Sequence, residues 1–493
     1  MKTSSTFLYD LVKTLTKSEK RYIKVQAGTG GKDYLDLLDA LIAQPVFDEE
    51  QLIQEHQGAK FLKHLAVNKR YLYELLLQSL ARFGQKTVEE KVQDKIGAVN
   101  ILVEKGLFAA ALSELRKGQK IAEQYELFDL QIVLSGLRKK LLARKVKKKK
   151  DNSIQLVYET ERERLEQLTN TNEYWYLAQQ MVQFQTQFQK IQTKEHKEYI
   201  ASLTQSSPFQ NPELATNFKS RMYFYQANSI YQFMLGNVKK AYNINSQFLD
   251  LLESNSHFMK IHAQRYLATL NNMLIDSLMI GEYDVLKRGI NRLVKTLERP
   301  EFKSIKNIEA RVFRQRYLLL INWSLSQQDF EKATEWIPEI EKGLETFGNK
   351  IEKHHRITFY YLIAYLLFQN VRYDNALKWN NLIINDPKED VVKEIFHFAR
   401  VMNLLIHFEL GNYTLLESLL LSTPKYLKNR RAIYTTEKTL FQFLGKQLNT
   451  LNKSEKRKLI VDFKEKLDVL YKKPEEKRVF NYLDLRQWIQ KKK

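Results

Sequence analysis

The chain has 493 residues with no cysteine, 16 glycines, 8 prolines and a formal net charge of +22 at pH 7. The absence of cysteine excludes disulfides, thiolate nucleophiles and cysteine-ligated metals, and the few glycines and prolines argue against a many-stranded sheet protein. Asp10 and Lys13 interrupt the N-terminal apolar stretch, and no window approaches about 18 uninterrupted apolar residues, so we expect a cytoplasmic protein with neither secretory signal nor membrane span.

Positive charge is concentrated at the two ends of the chain. Residues 1–150 hold 28 Lys and Arg against 18 Asp and Glu, and residues 420–493 hold 20 against 8. The middle, residues 151–419, has 31 of each sign and is neutral. This segregation indicates that the ends meet an acidic partner, since solubility alone does not require it.

Residues 1–90 are predicted to form an N-terminal helical unit. Apolar spacing predicts helices near residues 4–15, 17–27, 33–44, 48–57 and 61–83, with a break at Pro45 and a cap at Asp48. A compact group of this kind is compatible with a helix-turn-helix. A transcriptional regulator whose residues 1–90 read DNA is therefore kept as a third functional hypothesis.

Nearly the same phrase occurs at both ends of the chain, as LTKSEKRYIKV at residues 15–25 and LNKSEKRKLIV at residues 451–461. Thr16 and Glu19 stand three residues apart, as do Asn452 and Glu455. This is the spacing of a capping box, in which two side chains satisfy backbone N–H groups at a helix start. We interpret the phrase as two helix starts rather than as a duplicated functional site.

A second pattern recurs where one helix is predicted to end and the next to begin. It has a glycine or polar residue first, a residue of the Tyr or Phe type third and Ala or another small apolar residue sixth. The copies are GLFAAA (106–111), GNVKKA (236–241), GEYDVL (281–286), QDFEKA (328–333), VRYDNA (371–376) and GNYTLL (411–416). The structural turn residues are Gly106, Phe108, Gly236, Gly281, Tyr283, Phe330, Tyr373, Gly411 and Tyr413.

The spacing of these copies indicates a repeat. Successive first positions lie 130, 45, 47, 43 and 40 residues apart, and the large gap is close to three periods, which predicts further copies near residues 147–152 and 190–199. Glycine takes the left-handed conformation after a helix at little cost. We expect the third-position side chains, among them Tyr283, Phe330, Tyr373 and Tyr413, to be buried between the two helices.

This turn phrase resembles that of the tetratricopeptide repeat, with a period of about 43 residues in place of about 34. The resemblance implies an all-α fold, a right-handed α-α hairpin solenoid. We expect the repeat array over residues 91–424 and a basic helical cap over residues 425–493, because open repeat arrays need capping.

The most concentrated charge is the run LRKKLLARKVKKKK at residues 137–150, with nine cations and no anion. It is a candidate patch for an anionic partner. Its members are Arg138, Lys139, Lys140, Arg144, Lys145, Lys147, Lys148, Lys149 and Lys150. A helix C-terminus favours cations, but that effect accounts for only two or three of them. The C-terminal WIQKKK is a weaker example of the same feature.

Other motifs do not indicate chemistry. AGTGGKDY at residues 27–34 lacks the first glycine and the Ser or Thr of a phosphate loop. None of the nine histidines forms a His-Glu-x-x-His motif, and His397 and His407 are expected to face apolar neighbours. We therefore expect no catalytic residue, no metal, no cofactor and no enzymatic activity.

The preferred hypothesis is a non-catalytic cytoplasmic interaction scaffold that binds a protein or peptide on the concave face of the repeat. The alternative is a nucleic-acid- or ribosome-associated protein that binds a polyanion through its basic ends.

Overall fold

The structure, a computed structural model, describes residues 6–27, 32–84, 86–143, 153–188, 191, 193–386 and 392–492. All regular structure in these residues is helical, which confirms the all-α class. Within them, no helix combines the length and apolar character needed to cross a bilayer. The chain divides into two compact units, Met1–Thr169 and Asn170–Lys493. The finer boundaries at residues 90 and 424 stay predictions.

The first unit begins with the helices predicted for residues 4–83, which are confirmed. Its helices are α1 (Phe7–Thr14), α2 (Lys17–Ala27), α3 (Lys32–Ala43), α4 (Glu49–Glu55), α5 (Leu65–Phe83), α6 (Val88–Glu104), α7 (Phe108–Gln124), α8 (Phe128–Ala143) and the first part of α9 (Ser153–Phe188). A short 3-10 helix, Lys60–His64, precedes α5. Leu37, Leu41, Phe61 and Leu72 are fully buried in one core that α1–α5 share.

The second unit contains the rest of α9 and the helices that follow it. These are α10 (Lys194–Thr204), α11 (Ser207–Gln210), α12 (Phe218–Met234), α13 (Val238–Ser254), α14 (Ser256–Ile280), α15 (Tyr283–Lys295), α16 (Ile308–Ser326), α17 (Phe330–Glu335), α18 (Ile337–Phe347), α19 (Lys353–Gln369), α20 (Tyr373–Ile384), α21 (Lys393–Glu409), α22 (Tyr413–Lys428), α23 (Thr435–Asn449), α24 (Lys453–Tyr471), α25 (Lys477–Tyr482) and α26 (Leu485–Gln490). Short 3-10 helices occupy Pro212–Leu214, Thr296–Glu298, Pro300–Phe302 and Gly348–Lys350. Consecutive long helices pack against each other.

The six predicted turns are confirmed, and each has positive φ at its first position. The values are 73° at Gly106, 81° at Gly236, 82° at Gly281, 56° at Gln328, 61° at Val371 and 72° at Gly411. Glu126, with φ 49°, makes a seventh turn of the same kind between α7 and α8 that the sequence analysis missed. Of the two inferred copies, residues 147–152 lie outside the described residues, whereas α10 begins at Lys194 within 190–199.

The same pair of backbone hydrogen bonds closes each turn. At the first turn, the Leu107 N–H donates to the Leu102 carbonyl at 2.8 Å and the Gly106 N–H donates to the Val103 carbonyl at 3.1 Å. This is the Schellman arrangement, which satisfies the last carbonyls of a helix. It needs the left-handed conformation, so at the non-glycine positions it costs about 1–2 kcal/mol.

Burial within the turns differs from the prediction. The third-position aromatics Tyr283, Phe330 and Tyr373 are only half-buried, and Tyr413 is 53% exposed, so the expectation that they fill the space between helices is wrong. The sixth position is fully buried in all six copies, at Ala111, Ala241, Leu286, Ala333, Ala376 and Leu416. The close approach of the two helices therefore leaves room only for the sixth side chain, and the third lies at the rim.

The duplicated phrase starts a helix at both places, with different caps. The Thr16 N–H donates to Glu19 Oε2 at 2.6 Å and the Glu19 N–H donates to Thr16 Oγ1 at 3.3 Å, which confirms the first capping box. At the second copy the Asn452 side chain accepts from the Ser454 N–H at 2.8 Å. No bond from the Asn452 N–H to Glu455 is present there in the described chain, so the second capping box is wrong.

The C-terminal segment, residues 477–492, packs onto α19 and α21. Tyr361 Oη donates to the Tyr482 carbonyl at 2.9 Å, and Trp488 Nε1 donates to Glu409 Oε1 at 2.5 Å. Trp488 is 2% exposed and belongs to the same core as α19 and α21. Twelve of the 17 residues of α21 are buried.

Candidate functional site

The predicted cationic patch lies largely outside the described residues. Arg144, Lys145 and Lys147–Lys150 are not described. Arg138, Lys139 and Lys140 lie on α8, where Arg138 is half-buried and the two lysines are exposed. Lys139 forms an ion pair with Glu161 of α9.

The C-terminal lysines bind the protein itself. Lys491 Nζ donates to the Gln369 carbonyl at 2.5 Å, and Lys492 Nζ lies 2.6 Å from Glu409 Oε2. Both cations therefore hold the C-terminal segment on α19 and α21. The expectation that this end offers them to an anionic partner is wrong for these two lysines.

The described residues contain one group whose atoms could hold a metal ion, formed by Glu352, His354 and His355. The Glu352 carboxylate already accepts from Arg314 Nη1 at 2.8 Å, so a dication would face the guanidinium. The group also lies at the N-terminus of α19, the positive end of its dipole. His397 and His407 are buried on α21 as expected, at 6% and 7% exposure.

A cavity of about 370 Å³ in the second unit lies between α9, α12, α13 and α14. We call it the α12–α14 groove. Its lining residues follow one face of each main helix. They are Gln226, Ser229, Ile230 and Phe233 on α12, Arg265, Ala268, Thr269, Asn272, Ile275 and Asp276 on α14, Val182 and Gln185 on α9, and Asn245 and Phe248 on α13. Spacings of three and four residues put the side chains of each helix on that face.

A hydrogen-bonded chain of three buried side chains lines one end of the α12–α14 groove. Ser229 Oγ donates to Asn245 Oδ1 at 2.8 Å, and Asn245 Nδ2 donates to Asp276 Oδ2 at 2.7 Å. Asp276 is 2% exposed. Burial raises the pKa of the Asp276 carboxyl to about 6, opposed by the Asn245 hydrogen bond. Within the described residues no cation pairs with this carboxylate, although it is ionised at pH 7.

The opposite end of the α12–α14 groove is cationic. Arg265 is half-buried, and burial lowers the pKa of its guanidinium. No described residue forms an ion pair with it. Arg265 also borders a second cavity of about 450 Å³, which Lys260 and His262 line. The pKa of His262 is lowered to about 4, mainly by burial and to a lesser extent by the nearby charges of Lys219 and Arg265. The imidazole is therefore neutral at pH 7.

Between these ends the α12–α14 groove offers mixed contacts. Gln226 Oε1 is buried and has no hydrogen-bond donor in the described structure. Ala268 and Asn272 are exposed, so this stretch of the α12–α14 groove is open to solvent. An acceptor without a donor and an open, part-apolar floor suit a ligand that carries N–H groups along its length.

Sequence reasoning missed this groove because its chemistry comes from three separate helices. One local signal was present: Asp276 interrupts the apolar stretch MLIDSLMI at residues 273–280. A carboxylate on the buried face of a helix is costly unless a partner compensates it, so its presence indicates either such a partner or a functional site. Its partner, Asn245, stands 31 residues away in the chain.

Comparisons with protein-family models, with curated proteins and with solved structures give no match for this chain.

Proposed function

We propose that this protein is a non-catalytic interaction scaffold and that the α12–α14 groove holds an extended peptide segment of a partner. The observation that carries the proposal is the groove itself, polar at both ends and open along its middle. The Ser229 hydroxyl donates to an amide rather than to a base, so no base in the described part of the chain activates it for nucleophilic chemistry. Binding is the role that these side chains favour.

The proposed architecture is a right-handed tetratricopeptide-like solenoid, and the repeated turns support it. In such an array the first helix of each pair lines the concave face, and here the first helices are α12, α14, α16, α19 and α21. The C-terminal segment covers α19 and α21. That leaves the surfaces of α12, α14 and α16 for a partner, and the proposed groove lies on the first two of these helices.

A peptide display selection on the full-length protein tests the proposal. Selected peptides should lose at least tenfold in affinity for an Ala268→Trp variant, because the indole fills the open part of the groove. Ala110→Trp, at an exposed alanine of α7, is the matched control and should bind normally. Equal affinity for the Ala268→Trp protein would exclude the α12–α14 groove as the site.

The alternative function, nucleic-acid binding through the basic ends, rests on the net charge and on the 138–150 run. If that run neutralises about six phosphates, the slope of log K against log salt should be about −5. Replacing Lys147–Lys150 with Gln should then flatten the slope by about three to four units. Absence of any affinity for nucleic acid at about 50 mM salt would eliminate this alternative.

A further inference from the structure

The α12–α14 groove has an unmatched charge of opposite sign at each end. Asp276 is buried and, among the described residues, accepts a hydrogen bond only from the neutral amide of Asn245. Arg265 is half-buried, and no described side chain supplies its guanidinium with an anion. An isolated charge held away from water, as at Asp276, is costly unless a partner of opposite sign compensates it, whereas the guanidinium of Arg265 borders a cavity from which an anion can reach it. Both ends therefore favour a ligand that brings the missing charges.

The spacing of the two charges sets the length of that ligand. Arg265 and Asp276 stand eleven positions apart on α14, beyond the non-helical backbone at His262. At 1.5 Å per residue this separation is about 16 Å. An extended peptide advances about 3.3 Å per residue, so about five residues cover it.

The two ends differ in depth, and this difference distinguishes the groups they accept. Asp276 is 2% exposed and lines the groove together with Ser229 and Asn245, so a cation must reach it on a long, thin side chain. Lysine has such a side chain, with an apolar stem that fits beside Ile230 and Phe233. Arg265 borders the open cavity that also contains Lys260, so a main-chain carboxylate can approach it directly. The guanidinium fork matches a carboxylate.

We propose that the α12–α14 groove binds the C-terminal tail of a partner protein, with the terminal carboxylate on Arg265 and a lysine, four positions before the terminal residue, on Asp276. This inference rests on the proposed peptide-binding function and adds the chemistry and the direction of the ligand. The Gln226 carbonyl oxygen accepts a main-chain N–H of the tail between the two ends.

Four synthetic pentapeptides test the charges directly by isothermal titration of the full-length protein. The parent probe is N-acetylated Lys-Ala-Leu-Ala-Ala with a free C-terminal carboxylate, and acetylation removes the α-amine as a second cation. The others are its C-terminal amide, its norleucine analogue, and the analogue with both changes. Each single change should weaken binding about tenfold to a hundredfold, as expected for loss of a charged hydrogen bond.

Two protein variants test whether Arg265 and Asp276 cause these losses of peptide affinity. With Arg265→Gln, the free-carboxylate peptide and its amide should bind equally. With Asp276→Asn, the lysine peptide and the norleucine peptide should bind equally. The melting temperature of each variant is measured first, and Asp250→Asn, at an exposed carboxylate of α13, is the control that should leave both differences intact.

The outcomes separate this inference from the function it rests on. If the four pentapeptides bind equally, or none binds at millimolar concentration, the proposed end chemistry is wrong. Display-selected peptides that still depend on Ala268 would then keep the peptide-binding function. If display selection yields no groove-dependent peptide either, both proposals are overturned.

Discussion

Replacing Asp276 with asparagine should make the protein more stable at neutral pH. Burial raises the pKa of Asp276 from 3.8 to about 6. The folded protein therefore holds a proton that the unfolded chain releases between about pH 4 and pH 6, and stability falls as the pH rises through that window. A difference of about two pKa units corresponds to about 3 kcal/mol of unfolding free energy. The folded protein has lost this amount of stability once the pH is above about 6.

Asp276→Asn removes the ionising group and keeps an amide oxygen that can accept from Asn245 Nδ2. We expect the variant to gain up to about 3 kcal/mol of unfolding free energy at pH 7.5 and to differ little from the parent near pH 4. Urea denaturation at several pH values between these limits measures the difference. The control Asp250→Asn, at an exposed site, should change stability by less than about 0.5 kcal/mol at every pH.

A variant that is equally stable or less stable at pH 7.5 would refute the reasoning, because it would mean that the carboxylate is compensated within the folded chain. The expected gain also bears on function. Retaining a buried charge that lowers stability is typical of a binding site, where stability is exchanged for affinity.

Four further substitutions test the fold. Val371→Gly should stabilise the protein by about 1 kcal/mol in urea denaturation, since Val371 has φ 61°. Gly411→Val, at φ 72°, should destabilise it by about 1–2 kcal/mol. If Val371→Gly destabilises the protein and Gly411→Val stabilises it, the turn assignment is wrong. Gly343→Ala should cost about 1–3 kcal/mol, because its Cβ would lie 2.1 Å from the ring of Phe313, and an unchanged midpoint would mean that this ring can move aside. Tyr413→Ala should change stability by less than about 1 kcal/mol, since this side chain is 53% exposed, and a larger loss would restore the packing role first expected for it.

The helices and their turns could be predicted from sequence because their determinants are local. A glycine after the last helical residue, as at Gly236 and Gly281, permits positive φ, and the pattern around it can be recognised within six residues. The same rule misses Glu126 because no glycine marks it. The distance between the two helices of a pair decides whether the third or the sixth residue of the turn pattern is buried. The amino-acid sequence of the turn does not reveal that distance.

The groove and the C-terminal packing could not be predicted because they depend on contacts between distant residues. Tyr361 and Tyr482 are 121 residues apart in the chain, and Asn245 and Asp276 are 31 apart on different helices. Helical periodicity shows which face of each helix is apolar. It does not show which helices supply facing polar groups, so the unmatched charges of Arg265 and Asp276 emerge only from the folded chain.

Photo-crosslinking tests most directly whether the α12–α14 groove is the binding site. A photoreactive benzoylphenylalanine replaces Asn272, which is exposed in the groove, or Lys140, which is exposed on α8. Each protein is irradiated with a display-selected peptide and analysed by mass spectrometry. We expect the Asn272→benzoylphenylalanine protein to capture the peptide and the Lys140→benzoylphenylalanine protein to capture none; capture only from position 140 would contradict the account.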